Sequence, residues 1–286
     1  MVEQHFFQNS LKTIGLFHVN ERSADQINAD AYKSYIKVLY LPEGYEVKVD
    51  FTQYKTTGPA LFFLAPNQFL QIENCGPETG CFVFYNQDFY CIHLHDLEVA
   101  CDGLLFNNVK NMPMVVLGND DDVFVRYLLD QMETEFGLDD TSREEMIRTC
   151  LKQVFIKSAR LWKRQHLDTE RDTQDTDLDF FRKFTLLVDE HYKQKHSVAD
   201  YADVLFIAPK TITHKLRRLN LPQPNEIIKN RIVLEAKRLL AHSSMTAKEI
   251  AFELGYEDPA YFSRIFVSKT GESPSAFRTK FLSPVA

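Results

Sequence analysis

The chain has 286 residues and a net charge of −7, enough length for two domains, and its 23 Phe and 12 Tyr exclude disorder by composition. No run reaches the roughly 18 apolar residues of a membrane span, and residues 1–20 lack the basic segment and unbroken apolar core of a signal peptide. Five cysteines, an odd number without short paired spacing, then point to a reducing, cytoplasmic setting.

Residues 1–118 read as strand-rich. Tyr35 to Tyr40 is a β-type run ended by Pro42 and Gly44, and Tyr45 to Phe51 alternates as a half-buried strand does. Ala60 to Leu64 follows Gly58-Pro59, and Cys81 to Tyr85 follows Gly80. Short strands divided by Gly, Pro and Asn turns predict a small antiparallel barrel or sandwich. Such a barrel can hold one ligand in its mouth. Register decides which of Phe62, Phe82, Phe84 and Tyr85 face its interior.

In Cys91-Ile-His-Leu-His-Asp-Leu-Glu98, alternate strand residues place His93 and His95 on one side, where two imidazoles can share a metal. Glu98 is the nearby carboxylate. No later His completes the set, so histidines at a strand end are the preferred reading and no metal is assigned. Cys75, Cys81, Cys91 and Cys101 read as small core residues.

The period turns helical over residues 119–165. Val123, Tyr127, Leu128 and Met132 make one stripe; Met146, Cys150, Val154, Ile156 and Leu161 make a second, with a break at 137–140. The pair reads as a helical hairpin whose apolar stripes can pack on the barrel. Residues 166–177, HLDTERDTQDTD, read as a polar linker.

Residues 178–192 form a helix with Phe181, Phe184, Leu187 and Val188 inward. Ser197 can cap a short helix, and Pro209 is placed to open the next. Residues 225–242 are one helical pattern with Ile228, Ile232, Ala236, Leu239 and Leu240 on one side. Thr246 and Glu249 have capping-box spacing, Gly255 suits a left-handed helix end, and Asp258-Pro259 caps and opens the following helix. There Phe262, Ile265 and Phe266 form the buried stripe, opposite Ala260, Tyr261, Ser263, Arg264 and Lys269.

These two units repeat. Ala202, Leu205 and Ile207 lie 49 residues before Ala251, Leu254 and Tyr256; Ile212, Leu216 and Pro224 lie 50 before Phe262, Phe266 and Pro274. A short helix, a turn and a second helix make a helix-turn-helix, whose second helix fits a major groove. Two of them, at 197–219 and 246–269, joined by a helix, can enter successive grooves roughly 34 Å apart. Charge is distributed to match: residues 1–174 carry 16 bases and 26 acids, residues 205–286 carry 13 and 7.

Residues 178–286, most specifically Lys248 to Arg278, resemble the DNA-binding domain of AraC/XylS-type transcription regulators. The first unit departs from that pattern with Phe206 and Leu221 in place of Gly and Lys215 in place of an apolar residue. Residues 1–118 are similar in pattern and position to the cupin-like domain many such regulators carry. The resemblance implies an α+β chain: an antiparallel barrel with a helical hairpin, then an all-α domain with two helix-turn-helix units. It implies double-stranded DNA and RNA polymerase as partners and no membrane, leaves open a small-molecule effector and a homodimer, places any subunit contact at the 119–165 hairpin, which otherwise packs on the barrel, and makes activation the commoner outcome. Candidate base contacts are Lys210, Thr213, His214, Ala260, Ser263 and Arg264. Candidate phosphate contacts are Lys215, Arg217, Arg218 and Lys269. No cofactor and no enzymatic activity are expected. The alternative is a metal-dependent cupin enzyme fused to a DNA-binding domain; a third reading uses the barrel for dimerisation alone.

Overall fold

A computed structural model describes residues 4–8, 11–90, 104–106, 114–166 and 174–282. The chain divides into two compact units, Met1–Thr169 and Glu170–Ala286. Among the described residues, no helix is long and apolar enough to cross a membrane.

Among the described residues, the amino-terminal unit has nine strands: β1 (Gln4–Gln8), β2 (Thr13–Val19), β3 (Ile36–Leu41), β4 (Glu46–Val49), β5 (Thr52–Lys55), β6 (Ala60–Leu64), β7 (Leu70–Asn74), β8 (Gly80–Tyr85) and β9 (Met114–Val116). A short helix α1 (Ala24–Ile27) follows β2. The strands form a six-stranded sheet in the order β1-β2-β8-β3-β6-β9 and a three-stranded sheet in the order β5-β4-β7. Every pairing is antiparallel. The four strands expected from the sequence are present; β1, β2, β5, β7 and β9 are additional.

Register settles which face each aromatic occupies. Phe17, Phe82, Leu39 and Phe62 lie in one cross-strand row, since Phe17 pairs Phe82, and Leu39 pairs both Phe82 and Phe62. This row meets Val47, Val49, Leu70 and Ile72 of the smaller sheet in one core between the sheets. Period two then puts Phe84 inward as well and Tyr85 outward. Inside, Phe17 stacks on Phe84 with centroids 5.5 Å apart, and Tyr32 lies 4.7 Å from Phe84. Cys75 packs half-buried against this core, while burial pushes the Cys81 thiol up. Lys37 shares the inward phase of Leu39 and is 2% exposed. Its ammonium donates to the backbone carbonyls of Tyr32, Lys33 and Tyr35 at 3.2, 3.3 and 2.9 Å. A buried cation without such acceptors would be strongly unfavourable.

The outward face is covered by α2 (Asn119–Phe136) and α3 (Arg143–His166). Phe155 of α3 meets Phe63 and Tyr85 at 6.1 and 6.4 Å. The buried stripe of α2 is Val125, Leu128, Leu129 and Met132, whereas Val123 and Tyr127 are exposed. The expected stripe therefore held for Leu128 and Met132 and missed by part of a turn for the other two. In α3, Cys150, Val154 and Leu161 are buried as expected, joined by Ile147, Leu151, Phe155 and Trp162; Met146 is exposed.

Among the described residues, the second unit consists of helices and their connections: α4 (Gln174–His191), α5 (Val198–Val204), α6 (Pro209–Arg218), α7 (Pro224–His242), α8 (Ala247–Glu253), α9 (Pro259–Thr270) and α10 (Pro274–Leu282). Helix α4 starts four residues inside the stretch read as linker. Phe181, Phe184 and Val188 of α4 and Ile228, Ile232, Ala236 and Leu240 of α7 are buried. Arg231 of α7 lies over the Tyr192 ring at 3.9 Å and is ion-paired to Asp189, tying α7 to α4.

Candidate nucleic-acid interface

The two helix-turn-helix units repeat down to single hydrogen bonds. Ser197 accepts from the Asp200 amide at 3.2 Å, and the Asp200 carboxylate accepts from the Ser197 amide at 2.8 Å. Thr246 and Glu249 make the same reciprocal box at 3.2 and 2.7 Å. Both boxes satisfy amides that a helix start leaves without partners. Sequence alone identified Ser197 as a cap; Asp200, shorter than Glu, closes its box all the same.

At the turns, the Leu205 amide donates to Tyr201 and that of Ile207 to Ala202, both at 3.0 Å. Forty-nine residues on, Leu254 donates to Ile250 and Tyr256 to Ala251, at 3.0 and 2.9 Å. The hinge residue between them is left-handed in each: φ is +80° at Gly255 and +54° at Phe206. Glycine holds this conformation without strain, whereas phenylalanine places its β-carbon against the following carbonyl. Phe206 is also 94% exposed, so no packing offsets that strain.

Helices α6 and α9 each open with proline at the first position and bury one stripe, Ile212 and Leu216 in α6 and Phe262, Ile265 and Phe266 in α9. Asp258 caps α9 by accepting from the Ala260 amide at 2.8 Å, while Ala208 gives α6 no side-chain cap. Gly271, with φ +79°, ends α9.

The candidate base contacts share the opposite stripes. Lys210 and His214 are exposed and Thr213 half-buried; Ala260 is exposed and Ser263 half-buried. Thr213 and Ser263 occupy equivalent places and donate to the equivalent carbonyls of Pro209 and Pro259, at 3.4 and 2.9 Å. Arg264 is 70% exposed, 3.7 Å from the Asp258 carboxylate and 5.7 Å from the Tyr261 ring centroid. So weak a surface pair leaves the guanidinium free to reach outward. Tyr261 stands on the same face, half exposed, and adds an aromatic surface beside Arg264.

The candidate phosphate contacts fare differently. Arg217 is exposed and has no ion pair among the described residues. Lys215 and Arg218 are both paired with Asp177 of α4, and Lys269 is paired with Glu226 of α7. Asp177 and Glu226 lie 38 and 43 residues before their lysines, and no local pattern in the sequence announces them. His93, His95 and Glu98 lie outside the described residues, as do Cys91 and Cys101. Among the described residues, no group of three metal-ligating side chains could hold a metal ion.

The family model described as "Helix-turn-helix domain" matches residues 201–280. The carboxy-terminal unit is an AraC-type helix-turn-helix domain. Relatives of this chain include the uncharacterized HTH-type transcriptional regulator YijO of Escherichia coli, 23% identical over 64% of this chain and 61% of that one. The HTH-type transcriptional activator RhaR of Cronobacter sakazakii is 25% identical over 67% of each chain. Histidine kinase P4 of Formosa agariphila is 24% identical over 100 residues, 35% of this chain and 7% of that one. The match thus spans well under two thirds of the histidine kinase and slightly under two thirds of YijO.

Proposed function

We propose that the chain is a sequence-specific transcription regulator of bacterial type that reads DNA through α6 and α9. The observation that carries this reading is the duplicated helix-turn-helix, in which each second helix buries one stripe and leaves the other to solvent. A half-exposed helix with Arg, Lys, His, Thr and Ser on its open side matches the chemistry of base edges in a major groove. In α6 the readers are Lys210, Thr213 and His214; in α9 they are Ala260, Ser263 and Arg264. Arg264 can pair with both acceptors of guanine, and the methyl group of Ala260 suits thymine. Of the four candidate phosphate contacts, Arg217 serves the phosphates with no internal acid paired to it among the described residues, and Lys269 serves them from an exposed pair with Glu226, whereas Lys215 and Arg218 are engaged by Asp177.

The amino-terminal unit controls occupancy by binding a small effector or by forming a homodimer. An aromatic interior around Phe17, Tyr32, Phe82 and Phe84 supports the first role, and exposed Val123 and Tyr127 on α2 support the second. Activation through contact with RNA polymerase is the favoured output, as the name of the relative RhaR suggests. Such a role belongs to the cytoplasm. The test is selection of bound duplexes from a random pool by the full-length protein. Enrichment of one defined site supports the reading; a pool that stays random at every salt concentration tried would end it.

A further inference from the structure

Three of the four cations expected at phosphates are already held by internal acids, in an arrangement that repeats. Asp177 sits in the first turn of α4, the helix that leads the first helix-turn-helix. One of its oxygens meets Lys215 Nζ at 2.7 Å and the other meets Arg218 Nε at 3.1 Å. Lys215 also lies 5.2 Å from the Phe180 ring centroid. Glu226 sits in the first turn of α7, the helix that leads the second unit, and holds Lys269 in the last turn of α9. The two acids differ in burial. The Asp177 side chain is 2% exposed and that of Glu226 is 49% exposed.

Burial decides how each pair behaves when a phosphate approaches. The Glu226 carboxylate can return to water when Lys269 leaves it, so an exposed pair yields at little cost. The Asp177 carboxylate cannot; stripped of its two partners it would be an uncompensated buried charge. Lys215 and Arg218 are 28% and 42% exposed, near enough to solvent to reach a backbone phosphate were Asp177 not holding them.

We propose that Asp177 is an internal stand-in for a DNA phosphate that withholds Lys215 and Arg218 from the backbone and so sets the affinity of the first helix-turn-helix. Non-specific attraction is lowered there, and the contribution of α6 shifts from phosphates to base edges. The proposal rests on the DNA-binding reading above.

The experiment titrates the full-length protein against a fluorescent random-sequence duplex over a range of salt. Each phosphate contact contributes about 0.9 to the slope of log affinity against log salt. Asp177→Asn is expected to steepen the slope by about 2 and to tighten binding at low salt by about tenfold or more. Glu226→Gln, which removes the same charge from an exposed pair, leaves the slope unchanged. Lys215→Gln has no effect on the slope alone but takes back about 1 when added to Asp177→Asn. Thermal unfolding verifies that each variant is folded at the assay temperature. An Asp177→Asn slope no steeper than that of Glu226→Gln overturns the proposal. So does a slope lowered by Lys215→Gln alone, a result that does not depend on how Asp177→Asn folds. Failure of the wild-type protein to bind the duplex at all would instead sink the DNA-binding reading and this proposal with it.

Discussion

A β-carbon added to Gly255 would lie 1.9 Å from the carbonyl oxygen of Lys193. The turn of the second helix-turn-helix is thereby pressed against the loop that leads into the first. Three further contacts close the same seam: Lys193 is ion-paired to Glu253, His196 Nε2 donates to the Leu254 carbonyl at 2.9 Å, and the His196 ring stacks on Tyr256 at 4.3 Å. The two units are held in fixed relation by this seam as well as by α7 between them. Fixed spacing is what two helices need to meet successive grooves.

Gly255→Ala should therefore be among the more damaging substitutions in the unit. It combines a left-handed backbone with a clash against backbone that has no side chain to move aside. A loss of about 2–4 kcal/mol is expected in denaturant unfolding. Phe206→Gly is the converse. Relief of the left-handed strain outweighs the entropy a glycine adds to the unfolded chain, so stability should be unchanged or rise by up to about 1 kcal/mol.

Thr246→Ala and Ser197→Ala each remove the acceptor of a capping box. Each should cost about 1 kcal/mol by the same measurement.

Acid should weaken the same two helix starts. Burial pushes the Asp200 carboxyl up, but hydrogen bonds from Ser197 and the His196 amide outweigh this and hold it below the usual carboxylate range. The Thr246 amide and hydroxyl hold Glu249 low in the same direction. A carboxyl lowered in the folded state contributes stability above its unfolded pKa, about 4, and loses it as pH falls through the lower folded value. Urea midpoints should be level from about pH 7 to 5 and fall below about pH 4, and the fall should be shallower in Glu249→Gln. Equal falls in the variant and the wild type would show that Glu249 does not contribute to the acid sensitivity.

Local signals carried most of what was legible in the sequence. Thr246 and Glu249 are three residues apart and Asp258 adjoins Pro259, so caps and turns of the carboxy-terminal unit could be placed without tertiary knowledge. The repeat supplied the rest, since the turn bonds at Tyr201 and Ile250 are the same bond 49 residues apart. Strands were harder. Thr52–Lys55 is polar and largely exposed, and Gln4–Gln8 owes its strand to pairing with Thr13–Val19. In α2 two apolar stripes share Leu128 and Met132, and only the sheet beneath selects Val125 and Leu129 over Val123 and Tyr127. The Asp177 and Glu226 pairs join residues far apart in sequence, which periodicity does not report. Lys37 is a polar residue in an inward phase, made tolerable by three carbonyls that no spacing rule foretells.

In the proposed mode of binding, α6 and α9 read separate, adjacent stretches of one DNA site. This mode is tested most directly by selecting sites from a random pool with the wild type, with Arg264→Ala and with His214→Ala. Arg264→Ala is expected to relax a few adjacent positions by about 1–3 kcal/mol while His214→Ala relaxes others about one helical turn away. Loss of preference at the same positions in both variants, or at none in either, would contradict this mode.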